Sequence, residues 1–124
     1  MIFKEQFNDW ISRLTKNEKP MADIVAFNFG LFETDKAYTI YVIGAKTFDA
    51  EDADWATNAD FEPKEKYLEI NPNETKGLEW SEVQEMARVT IEQFVSSDKF
   101  EQSFMKNAQA ITTGFDDGDL LRIR

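Results

Sequence analysis

Cysteine and histidine are both missing from this chain of 124 residues, and each absence removes a class of chemistry. Without cysteine there is no disulfide framework, no thiolate nucleophile and no cysteine-ligated zinc. Without histidine there is no Ser-His-Asp triad, no imidazole-ligated metal, and no side chain with an ordinary pKa suited to proton transfer near neutrality. The five glycines, at 30, 44, 77, 114 and 118, stand apart, so no dinucleotide-binding or P-loop pattern exists. Positive charge is scarce as well: 14 basic residues face 24 acidic ones, a formal net charge of −10. Phosphate repels such a chain and rewards it with no counterion release, which argues against nucleic acid and against anionic membrane surfaces. No apolar run approaches the roughly 20 residues of a membrane span. Glu5 and Asp9 interrupt the amino-terminal segment where a signal peptide would carry its apolar region. With no cysteine, these features lead us to expect a cytoplasmic protein.

The chain has ample material for a core. Hydrophobic residues make up 42% and aromatics 14%, including eleven Phe and three Trp, which is too apolar for disorder at this charge. The length suits one domain spanning residues 1–124. Phe3, Phe7, Trp10, Ile11 and Leu14 recur with helical spacing over residues 2–18, before Pro20. Period two then takes over. Val25, Phe27, Phe29 and Leu31 share one strand face, and Tyr38, Ile40 and Val42 alternate in a second strand across a short Glu33–Lys36 turn, which makes an antiparallel hairpin. A short strand is expected over 67–70, and turn chemistry at Asn71-Pro72-Asn73-Glu74. Ser81 and Gln84 suggest a capping box opening a helix to about Val95. A third helix is expected to carry Phe100, Phe104 and Ala108, and a closing hairpin to turn at Asp117-Gly118. The order α-β-β-β-α-α-β-β implies an α+β fold: an antiparallel sheet of about five strands with helices on one face.

Charge is unevenly placed. Residues 49–62 hold six acids (Asp49, Glu51, Asp52, Asp54, Asp60 and Glu62) and no base, so they carry most of the net charge. Phe48, Trp55 and Phe61 lie among them. Carboxylates around aromatic anchors suit an interface for a basic partner. A charge run is also commonly mere solvated surface, with Trp55 then pinning the loop to its own core. An EF-hand reading fails on spacing: starting from Asp52, positions five and six are Ala56 and Thr57 rather than a ligand and glycine. Asp116, Asp117 and Asp119 form a second cluster, at the expected turn. A carboxylate-pair hydrolase needs two acids at a fixed separation, but with 24 acids no pair stands out.

Two stretches carry a family resemblance. Asp54-Trp55-Ala56 with Asp60-Phe61-Glu62-Pro63, and Gly114-Phe115-Asp116-Asp117-Gly118-Asp119-Leu120, together with the size and acidic balance, resemble the small bacterial immunity proteins that neutralise a cognate polymorphic toxin. The resemblance implies a bacterial, cytoplasmic, non-enzymatic protein, and no residue pattern calls for a cofactor. On the residues themselves, the expected mechanism is occlusion of a basic protein such as a nuclease toxin. The contact residues would be Asp49, Glu51, Asp52, Asp54, Trp55, Asp60, Phe61 and Glu62, with Asp116, Asp117 and Asp119. Two alternatives stay open. One is a small enzyme or ligand-binding domain using carboxylates or a metal. The other is a structural homo-oligomer, seeded by Ile24, Tyr41 and Ile43 outside the helix-covered sheet face.

Overall fold

The helical spacing near the amino terminus has its expected result. In the computed structural model, which describes residues 2–124, helix α1 (Phe3–Asn17) buries Phe3, Phe7, Trp10, Ile11 and Leu14 along one side. Rings so placed contribute about 2–3 kcal/mol each by leaving water. The indole N–H of Trp10 donates to the Glu65 carbonyl at 2.6 Å, so its burial strands no polar atom.

Strands β1 (Ala26–Glu33) and β2 (Tyr38–Ala45) form the expected antiparallel hairpin. The Thr34 hydroxyl closes the turn by accepting from the N–H groups of Lys36 and Ala37 at 3.3 and 3.2 Å. Strands β3 (Tyr67–Glu69), β4 (Ala110–Phe115) and β5 (Leu121–Arg122) complete a sheet ordered β3-β2-β1-β4-β5. The α+β class with five strands is therefore as expected, but the sheet is mixed. β1 and β4 pair in parallel, while the other neighbours are antiparallel. The segment between them carries two strands and the remaining helices, long enough for the chain to return in the same direction.

Two local expectations need correction, at α3 and at the third helix, and the expected Asn71 turn proves to be helical. The long helix α3 (Trp80–Val95) starts earlier than Ser81 implies, because Glu82 accepts the Glu79 N–H at 3.2 Å and caps the helix there. The Asn71 turn is a single helical turn, α2 (Pro72–Thr75), whose Glu74 caps α1 by accepting the Phe3 N–H at 2.8 Å. The third helix, α4 (Asp98–Glu101), also stops after one turn. Ser103 turns its hydroxyl back onto the Phe100 carbonyl and accepts from the Met105 N–H, which competes with continued helix.

The two faces of the sheet are filled differently. Phe27, Phe29, Leu31, Ile40, Val42 and Ile111 meet α1 and α3 in the main core. On the other face, β2, β1 and β4 place Ala45, Ala26 and Ala110 side by side, and Trp55 and Phe48 pack onto this row of small residues. Further along, Gly30 and Gly114 are neighbours. The Tyr41 ring lies across Gly30, and the backbone of Asp119 and Leu120 passes over Gly114, where an added Cβ would come within 2.5 Å of the Asp119 carbonyl oxygen. This face is not a bare apolar surface: Ile43, expected as part of an oligomer patch, is only 2% exposed.

Gly30→Ala is expected to destabilise the protein by about 1–3 kcal/mol, because its Cβ would reach within 2.1 Å of the Tyr41 ring. Most of that loss should vanish in a Tyr41→Ala background, where nothing remains to collide. Urea unfolding of the double-mutant cycle measures the coupling; additive losses would show that the ring does not hold this position.

Candidate functional site

The acidic stretch is built by its own carboxylates as much as decorated by them. The Asp49 side chain accepts the Glu51 N–H at 2.9 Å, and Asp52 accepts the Asp54 N–H at 3.0 Å, capping a single-turn 3₁₀ helix, Ala53–Thr57. The Thr57 hydroxyl donates to the Asp54 carbonyl at 2.7 Å and closes that turn. Asp60 accepts the Lys46 N–H at 2.7 Å, and Gly44 and Phe61 exchange backbone hydrogen bonds, which ties the far end of the stretch to the edge of β2. The loop is thus held at both ends and in its middle.

Trp55 provides the middle anchor. Its ring meets Phe48 edge-on at 5.3 Å and is 7% exposed. The expectation that Trp55 would be offered to a partner is corrected accordingly, and the alternative, that it pins the loop to its own core, holds. The alanine row leaves space that the indole fills, and Phe61 packs on Phe27 and Phe104 at 6.5 and 5.8 Å. Both rings are anchors for the protein's own fold.

The carboxylates themselves face outward. Asp49, Glu51, Asp52, Asp54, Asp60 and Glu62 are all exposed. Among the described residues, Glu62 is the one acid of this stretch in an ion pair, with Lys66 at 2.6 Å. That hydrogen bond is the leading cause of a raised Lys66 pKa. Lys46 pairs instead with Asp23 at 3.4 Å, while Arg122 lies over the Phe48 ring and donates to backbone carbonyls of Gln109 and Arg124. Asp49 and Asp52 accept hydrogen bonds from neutral amides, which orient a carboxylate without cancelling its charge.

The second acidic cluster adjoins the first. Leu120 packs into the Trp55 cluster, and Asp116 lines a shallow cleft together with Ala56, Thr57 and Glu62. Asp116, Asp117 and Asp119 are exposed. Their connection differs from a two-residue hairpin. Gly118 N–H donates to the Phe115 carbonyl at 3.0 Å, and the strands do not pair until Thr113 meets Leu121. Type I′ and II′ turns need positive φ, which among the described residues only Gly77 adopts. Gly118 instead closes the four-residue turn that begins at Phe115, a position that also favours glycine.

Tyr41 was expected on an oligomer face and nothing in the sequence marked Lys66 or Tyr67, yet the three complete this cleft. The Tyr41 hydroxyl donates to Asp116 at 2.5 Å, and Lys66 sits 5.5 and 5.1 Å from the centres of the Tyr41 and Tyr67 rings. Glu33, Tyr38, Trp80 and Phe115 were missed as well. They join Asp116 and Asp117 around a cleft of about 500 Å³ at the end of the sheet. Trp80, at the start of α3, is 60% exposed. No helix among the described residues is long and apolar enough to cross a membrane. No family model, curated protein or solved structure matches the chain.

Burial, then the hydrogen bond to Asp116, then the nearby charges of Asp116 and Tyr67 push the Tyr41 phenol well above its ordinary value of 10.0. A pKa raised on folding contributes stability that is full below the unfolded value and is lost as pH rises through the folded one. Stability should therefore fall as pH climbs above about 10, and Tyr41→Phe should lose part of that dependence as well as about 1 kcal/mol at neutrality. Urea midpoints of both proteins between neutral and alkaline pH test this; identical slopes would remove Tyr41 as a source.

Proposed function

We propose that this is a non-enzymatic binding protein for a basic protein, acting in the cytoplasm as an acidic inhibitor of the immunity type. The observation that carries this reading is the state of Asp49, Glu51, Asp52 and Asp54. They are exposed, they lack ion pairs among the described residues, and they sit on a loop clamped by Trp55. A flexible acidic loop would lose conformational freedom on docking; a braced one has already lost it on folding. Opposite fields then speed encounter, and carboxylates occupy positions that substrate phosphates would take in the cationic cleft of a nuclease toxin. Asp116, Asp117 and Asp119 extend the negative surface past the adjoining cleft. Solvation alone would not require the indole and the carboxylate caps to hold these charges in one arrangement.

The test uses a basic partner co-purified from the native host, with association followed by stopped flow. The rate is expected to fall at least tenfold between roughly 20 and 500 mM salt. Combining Asp49→Asn, Glu51→Gln, Asp52→Asn and Asp54→Asn should slow association at low salt while leaving the fold intact, because Asn keeps the oxygen that caps the backbone. A rate indifferent to salt and to the four substitutions would overturn the reading.

A further inference from the structure

The 500 Å³ cleft lies where β1 and β4 end together, and no step above uses it. Its centre is a set of three rings. Phe115, 8% exposed, forms the floor. Trp80 and Tyr38 each stand 5.9 Å from it, with ring planes at 89° and 74° to its own. Glu33, Asp116 and Asp117 complete the wall, and no lysine or arginine lines it. Of the three tryptophans, Trp10 and Trp55 are buried and Trp80 is 60% exposed. A large ring left in water in a cleft that acids also line is the arrangement that attracts a cation, whose charge meets the ring faces while its hydrogen bonds go to the acids. The start of α3 at Trp80 offers an anion little, since Glu79 and Glu82 already occupy that end.

We propose that this cleft receives an arginine side chain of the basic partner. The inference rests on the proposed binding of a basic protein and adds the contact where one side chain is read. A planar guanidinium can stack on Trp80 while its N–H groups reach a carboxylate in pairs; a lysine ammonium is compact, strongly hydrated and cannot do both. Asp117 makes no hydrogen bond or ion pair among the described residues, whereas Asp116 already accepts from Tyr41. Asp117 is thus the carboxylate with full capacity for the ligand.

The experiment follows the three tryptophan indole N–H signals by NMR during titration with acetyl-Gly-Arg-Gly-amide. The expected result is a saturable millimolar shift at Trp80, with the buried Trp10 and Trp55 signals unmoved and reporting an intact fold. The neutral citrulline peptide should give no saturable shift, and the lysine peptide should bind several-fold more weakly. Trp80→Ala, followed at the amides of Asp116 and Asp117, and Asp117→Asn should each weaken the arginine peptide about fivefold or more. No saturable shift, or equal binding of the citrulline peptide, would overturn the proposal. Free arginine binding more tightly than the peptide would overturn its assignment to a protein side chain. The two readings fail separately. Partner association slowed by the four loop substitutions but untouched by Trp80→Ala sinks the cleft and leaves the acidic loop. A salt-indifferent association rate beside an intact Trp80 shift does the reverse.

Discussion

Strand β1 organises the molecule because it is paired on both edges and is buried from Ala26 to Leu31. Alternation along it separates two kinds of surface. Phe27, Phe29 and Leu31 point to the helices, while Ala26, Asn28 and Gly30 point to the opposite side. The bulky face demands a layer of helix side chains to exclude water, and α1 and α3 supply it. The small face lets other parts of the chain approach closely: the indole of Trp55 over the alanines, the ring of Tyr41 over Gly30, the backbone of Asp119 over Gly114. The buried Asn28 and Thr112 on that side satisfy each other, Thr112 donating to Asn28 at 2.8 Å.

The acidic surface depends on this asymmetry. Six carboxylates in fourteen residues repel one another, and an unanchored loop would spread them apart. Here Trp55 is fixed on the sheet, Asp60 is tied to Lys46, and Asp49 and Asp52 hold the turns between. The same residues therefore stiffen the backbone and supply the field. The unpaired acids gain nothing for stability from their proximity. On the proposed reading, the opposite charge comes from another molecule. The Tyr41–Asp116 hydrogen bond links this surface to the cleft at the sheet end, because Asp116 lines both depressions.

Much of the fold could be read from spacing. Phe3, Phe7, Trp10, Ile11 and Leu14 sit at helical intervals, and all five are buried. The alternation in β1 and β2 and the Thr34 turn likewise match the hairpin. Errors gathered where side chains compete with the backbone. Glu82 outcompeted Ser81 as the cap of α3, and Ser103 ended α4 early. The candidate site was legible in its charges and not in its rings. Trp55 among six acids could be an interface anchor or a pin to the loop's own core, and nothing local shows that three alanines from distant segments form a surface for it.

Local composition and periodicity by themselves determined the α+β class, the amphipathic face of α1, the absence of thiol and imidazole chemistry, and the concentration of negative charge between residues 49 and 62. Tertiary structure decided the parallel pairing of β1 with β4, the inward turn of Trp55, and the meeting of Trp80, Tyr38, Phe115 and Asp117 around one cleft. The division has a physical reason. Helical and strand periods are set by neighbours a few residues apart, whereas a buried indole or a shared cleft needs segments brought together by the packing of the whole chain.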